Sequence, residues 1–188
     1  MKDRIYFDSC IYIAHYRQET DTYGQPIINS IGRLMSQNEK GGSIIITSSI
    51  TICEVITKLL ESSLKAQIED FKNKFKRGLH LLYDADPEIC EKAALYRAHY
   101  WSNPIKHPIQ PPGNQPDVKV RNLTTMDSIQ LATATTYPCG EFWTVDGLAK
   151  TNDKYKSIKL LWLGNSVVKD QLIITPPYDG NPAQPTLL

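Results

Sequence analysis

The stretch "RIYFDSCIYIAHY", Arg4 to Tyr16, sets a short apolar run against a longer one and puts an acid, Asp8, at the seam. Arg4–Phe7 has the aromatic and β-branched content of a strand, and the part after Asp8 reads as a helix. Asp8 therefore falls at a strand-to-helix junction. One such acid says little, because it fits the N-cap of a helix beginning at Cys10, a role that Ser9 fits as well. Asp8 gains meaning only if acids recur at equivalent junctions.

Further strand-like runs are "SIIITS" (Ser43–Ser48), "LHLLYD" (Leu79–Asp84), "EFWTV" (Glu141–Val145) and "IKLLWL" (Ile158–Leu163). Helical spacing separates them. In "LKAQIEDFKNKFKRG" the residues Leu64, Ile68, Phe71 and Phe75 recur on one face with lysines opposite, a face that suits core burial or an interface. "DADPEICEKAALYRAHYW" carries Asp86 as N-cap and Pro87 at the first helical position. "TTMDSIQLATATTY" places Thr124 three residues before Asp127, an N-terminal signature. Strands alternating with helices predict an α/β fold in three layers, α/β/α, around a central, mainly parallel sheet. Ligands of such sheets collect at the carboxyl ends of the strands.

Two segments depart from that alternation. Trp101–Val120 contains five prolines and reads as a long loop, and Thr175–Leu188 reads as an extended tail. The chain has no internal repeat. Its 188 residues suit one domain, and 41% hydrophobic content is enough for a buried core. With 21 basic and 20 acidic residues the formal net charge is +1, so there is no general attraction to nucleic acid or to an anionic membrane. A nucleic-acid substrate would have to be drawn by local patches or bound metal. The N-terminus lacks a signal-peptide pattern, and no run approaches the ~18 apolar residues of a membrane helix. Cys10, Cys53, Cys90 and Cys139 are scattered, without zinc-site spacing. The first three lie in apolar-periodic segments and are expected as core filler, and a cytoplasmic, reducing location fits.

Four acids occupy equivalent junctions: Asp8 after the first strand, Glu54 in the helix after "SIIITS", Asp127 in the first turn of the helix near Thr124, and Asp146 closing "EFWTVD". Asp127 also fits a capping box with Thr124, and Asp146 before Gly147 also fits a turn. Glu54 resists such readings. It lies among Ile52, Cys53, Val55 and Ile56, where a buried acid is costly without a partner. Converging carboxylates repel one another unless a cation intervenes, and oxygen-only ligation suits Mg²⁺ or Mn²⁺. Such a cluster can activate water against a phosphodiester.

"IYFDSCIYIAHY", "TSSITICEVI", "TTMDSIQLATA" and "FWTVDGLAK" together resemble, in order, the four acid-bearing motifs of PIN-domain ribonucleases, especially the VapC-like toxins of toxin–antitoxin pairs. The resemblance spans roughly residues 4–163 and implies a PIN-like nuclease domain over residues 1–165, a proline-rich insertion at about 101–122, and a C-terminal extension at 166–188. It implies a ribonuclease in which Asp8, Glu54, Asp127 and Asp146 are catalytic and hold Mg²⁺ or Mn²⁺, with the hydroxyls of Ser9 and Thr144 in support. It also implies an RNA substrate, a cognate antitoxin protein, a possible homodimer and no membrane. Two departures stand out. Cys10 replaces an asparagine frequent in the family, so polar support from that side chain is expected to be absent, and Gly147 replaces a charged residue.

Lys58, Lys150 and Lys154 follow the second and fourth motifs and are candidate phosphate contacts, although solvated surface lysines fit the same pattern. Tyr12, Tyr16 and Trp143 are candidates for base stacking or for core packing. Two other functions remain open on sequence alone. One is a non-catalytic PIN-like module that binds RNA or protein, and the other an RNA-processing or DNA-directed nuclease of the same fold.

Overall fold

Residues 5 to 7 send their side chains alternately to two buried faces, and this makes their strand the middle of the sheet. Ile5 and Phe7 belong to one hydrophobic cluster and Tyr6 to another, each 6% exposed or less. The computed structural model describes residues 3–102, 123–137, 139–145, 172–175 and 177–178. Its strands are β1 (Asp3–Phe7), β2 (Ser43–Ser48), β3 (His80–Tyr83), β4 (Glu141–Trp143) and β5 (Ile173–Thr175). They form one sheet in the order β3-β2-β1-β4-β5, and every pairing is parallel. The described helices are α1 (Ser9–Arg17), α2 (Thr20–Tyr23), α3 (Gln25–Glu39), α4 (Ile50–Glu61), α5 (Lys65–Lys76), α6 (Pro87–Ser102) and α7 (Thr125–Thr136).

Both faces of the sheet are covered, as a parallel sheet requires. Ile11 and Tyr12 of α1, Ile31 and Leu34 of α3, Val55 of α4 and Phe71 of α5 pack with Phe7, Ile45 and Trp143 on one face. Leu131 and Ala134 of α7 and Tyr100 of α6 pack with Tyr6, Ile46 and Phe142 on the other. Register pairs Tyr6 with Phe142 and Phe7 with Trp143. The first pair stacks at 5.0 Å on one face and the second at 5.7 Å on the opposite face. The three-layer α/β/α expectation holds.

Several details differ from the sequence reading. β5 lies in a segment where no strand was expected, while "IKLLWL" and most of the proline-rich segment fall outside the described residues. α6 runs on through Ser102, which was expected in the loop; Trp101 stood in both the helical and the loop segment. Cys53 and Cys90 are exposed rather than core filler, because Thr51, Val55 and Leu59 are the residues that α4 buries and Ile89, Ala93 and Tyr100 those that α6 buries; Cys139 is buried. No described helix is long and apolar enough to cross a membrane.

The chain orders β1, β2 and β3 outward in one direction, then adds β4 and β5 on the other side of β1. The carboxyl ends of β1 and β4 thus flank the topological switch point, the place where open parallel sheets bind their ligands.

Candidate active site

Asp8 stands at that switch point. Its backbone N–H still donates to Trp143 O at 3.1 Å, while its extended backbone (φ −65°, ψ 154°) makes it the N-cap residue of α1. No side chain caps this helix: the Asp8 carboxylate turns toward β4, and Ser9, the other candidate cap, is already inside the helix. Asp8 is 4% exposed and held by side-chain donors. Thr144 Oγ1 donates to Oδ2 at 2.8 Å, and Ser9 Oγ lies 3.4 Å from Oδ1.

Cys10 corrects an expectation. Its Sγ lies 3.1 Å from Asp8 Oδ2 and 3.2 Å from Thr144 Oγ1, and it accepts the Val145 N–H at 3.3 Å. The one hydroxyl proton of Thr144 is committed to Asp8, which leaves the single thiol proton of Cys10 to be shared between Asp8 Oδ2 and Thr144 Oγ1. The polar support thought missing at this position is therefore present, supplied by sulfur. It also fastens the chain after β4 to the chain after β1.

Glu54 is half-buried on α4 and accepts from Gln130 Nε2 at 3.1 Å. Burial raises its pKa and the negative charge of Asp127 raises it further, while hydrogen bonds from Ser9 and Gln130 pull it back. Ser9 thus reaches both Asp8 and Glu54. Asp127 sits half-buried in the first turn of α7, its N–H capped by Thr124 Oγ1 at 3.0 Å. That bond is the N-cap interaction that Thr124 was expected to make.

Asp8, Glu54 and Asp127 therefore come from three elements to the carboxyl edge of the sheet. Asp146, Lys150 and Lys154 lie outside the described residues. Among the described residues no three His, Cys, Asp or Glu side chains stand close enough to hold an ion by themselves. The donor chemistry nevertheless fits a hard divalent cation: the acids offer only oxygens, and Glu54 is desolvated within the field of Asp127. A cation there would offset both effects, with water completing its shell.

The other candidates separate cleanly. Tyr12 is fully buried, Trp143 is 3% exposed, and Tyr16 is 8% exposed and donates to Asp70 Oδ2, so all three belong to the core and are not open for base stacking. Phe71 is likewise core, with Phe75 packed against it. Lys58 is an exposed surface residue paired with Glu61 at 2.8 Å. Gln130 was passed over in the sequence reading, although a lone amide among the apolar residues of "SIQLATA" was a usable signal.

A family profile described as PIN domain matches residues 5–154. No curated protein matches by sequence. Among solved structures, VapC20 of Mycobacterium tuberculosis, described as a sarcin-ricin loop cleaving toxin, is similar with a TM-score of 0.52 and 12% identity. The alignment covers 76% of this chain and 90% of that one, and at this identity the likeness is one of fold. VapBC2 of Rickettsia felis, bound to a promoter DNA fragment, aligns over 92% of this chain and 98% of its own with 15% identity and a TM-score of 0.49.

Proposed function

This chain belongs to the PIN-domain family, and on that premise we propose that it is a divalent-metal-dependent endoribonuclease that hydrolyses RNA phosphodiester bonds. The observation that carries the reading is Asp8, a buried carboxylate at the switch point that is held by hydroxyl and thiol donors instead of capping its helix. A fixed, buried acid with Glu54 and Asp127 nearby is costly for a fold that does not use it.

In this reading Asp8 and Asp127 hold Mg²⁺ or Mn²⁺, Glu54 ligates the ion or orients the attacking water, and Asp146 completes or tunes the set. The ion supplies charge neutralisation at the phosphate and a lowered pKa for water. Thr144 and Cys10 keep the Asp8 carboxylate aimed, and the Ser9 hydroxyl lies between Asp8 and Glu54, within reach of either. The buried aromatic layer beneath, Phe7 and Trp143, supports this edge so that little reorganisation accompanies the reaction.

We further propose that the protein is the toxin of a toxin–antitoxin pair. The four motif segments support this, as does the fold shared with a toxin that cleaves the sarcin-ricin loop. A cognate antitoxin would then cover the acidic edge, and the toxin would act as a cytoplasmic protein, with a homodimer as its expected assembly. The test for the nuclease is incubation with structured RNA in Mg²⁺ or Mn²⁺, with EDTA as control. Metal-dependent cleavage is expected, and cleavage at full rate in EDTA contradicts the metal site. For the toxin, expression of wild type and Asp8→Asn in a host should arrest growth with the wild type alone. Equal growth with both contradicts that role.

A further inference from the structure

Gln130 lies one turn beyond Asp127 on α7, is 1% exposed, and belongs to none of the four motif acids. It joins a buried polar chain that runs through Thr47 and Thr51 and is reached by Tyr6 and Glu54. Thr47 Oγ1 donates to Phe7 O at 2.8 Å, so its single proton is committed there. In the 2.7 Å contact between Thr47 and Thr51, Thr51 must then be the donor. With its proton used on Thr47, Thr51 Oγ1 accepts from Gln130 Nε2 at 3.1 Å, the shorter of its two contacts with that amide, the other being 3.4 Å to Oε1. The second proton on Nε2 points to Glu54 Oε2, also at 3.1 Å. At the other end of the amide, Tyr6, which burial keeps protonated, donates its hydroxyl to Gln130 Oε1. Turning the amide over would set its oxygen against the Glu54 carboxylate, two acceptors facing each other with no proton between them. The chain thus begins at the carbonyl immediately before Asp8, crosses β2 and α4, and ends on Glu54, with its amide on the helix that carries Asp127.

We propose that Gln130 is the positioning residue that sets the Glu54 carboxylate against Asp8 and Asp127. It rests on the metal-nuclease reading for its purpose, and on the hydrogen bonds alone for its geometry. An amide suits this task better than a charged donor. It directs the carboxylate without neutralising it, which leaves the negative charge available to a cation. Because the amide is anchored by Tyr6 from β1 and by Thr51 from α4, its own rotamer is fixed from two sides.

Mn²⁺ binding to the folded full-length protein, followed by electron paramagnetic resonance, tests this without reference to activity. Gln130→Met keeps the side-chain volume and removes the amide, and is expected to weaken Mn²⁺ binding about 10- to 100-fold. Gln130→His, which offers one donor and one acceptor, should recover most of that loss. In a Glu54→Gln background Gln130→Met should cause no further weakening, since its effect runs through Glu54. Undiminished Mn²⁺ affinity in Gln130→Met, or an equal loss with and without Glu54, overturns the positioning role while the metal site stands. A wild type that binds no Mn²⁺ overturns both. Should Gln130→Met fail to fold, the side-chain amide protons of Gln130 in the wild type decide the matter: Mg²⁺ must shift their resonances, and unshifted resonances overturn the inference.

Discussion

At Cys10 a single sulfur atom serves as both donor and acceptor. Its thiol serves the Asp8 carboxylate and the Thr144 oxygen, and its sulfur accepts the Val145 N–H. Cys10→Ala is therefore expected to lower RNA cleavage roughly 10- to 100-fold, whereas Cys10→Ser, which keeps a donor and an acceptor, should retain most activity. Steady-state cleavage with thermal unfolding as a control checks this, and an active Cys10→Ala removes the supporting role. Glu54 gives a prediction of the opposite sign. Its pKa is raised in the fold, chiefly by burial, so the folded state holds the Glu54 proton more tightly than the unfolded chain does. The cost of keeping it charged is absent below its unfolded pKa, grows as pH rises toward the folded value, and is complete above it. In metal-free buffer Glu54→Gln should accordingly be more stable than wild type at neutral pH, with the gain vanishing in acid. Urea unfolding in EDTA across pH measures it, and a less stable variant at neutral pH contradicts the account. Asp8 and Asp127 drew attention in the sequence because one follows a strand and the other lies in the first turn of a helix, and Glu54 because it is an acid among apolar neighbours. The roles of Cys10 and Gln130 were not, since they depend on contacts between residues 135 and 76 positions apart.

Among the elements, α7 carries the most information per residue. Thr124 caps it through the N–H of Asp127, and Ser128, Gln130, Leu131 and Ala134 fill its buried side. Thr124→Ala should cost about 1 kcal/mol of stability. Denaturant unfolding would show this, and an unchanged midpoint would mean that the cap is not used. That cap was readable from Thr124 and Asp127 alone, as was the Asp86 cap of α6, which accepts the Ile89 N–H at 2.9 Å. β2 was readable in full from its β-branched run. β5 was not, because three residues beside a proline-rich tail carry too little pattern to be separated from an extended segment. α3 was not singled out, yet its buried Ile28, Ile31, Leu34 and Met35 follow helical spacing. The pairing of β1 with β4 lay beyond sequence patterning altogether, since the aromatic stacks that join them are matched across more than 130 residues.

For the molecule as a whole, the strand order determines where chemistry can occur. Placing β4 beside β1, with β2 and β3 on the far side, sets the topological switch point at the end of β1 and brings Thr144 against Asp8. The buried faces of the sheet then hold that edge rigid, and the acids reach it from β1, α4 and α7 without any one element supplying two of the three. Near-neutral overall charge is consistent with recognition concentrated at this edge instead of spread over the surface. Asp8 is the point on which the account rests. The most direct test is the single-turnover rate of RNA cleavage in saturating Mg²⁺ by wild type and by Asp8→Asn, an isosteric change that leaves the thiol and hydroxyl partners in place. Loss of a metal-holding charge worth several kcal/mol in the transition state predicts a fall of at least ~100-fold with the fold intact. Equal rates for the two proteins would contradict a metal-dependent site built on Asp8.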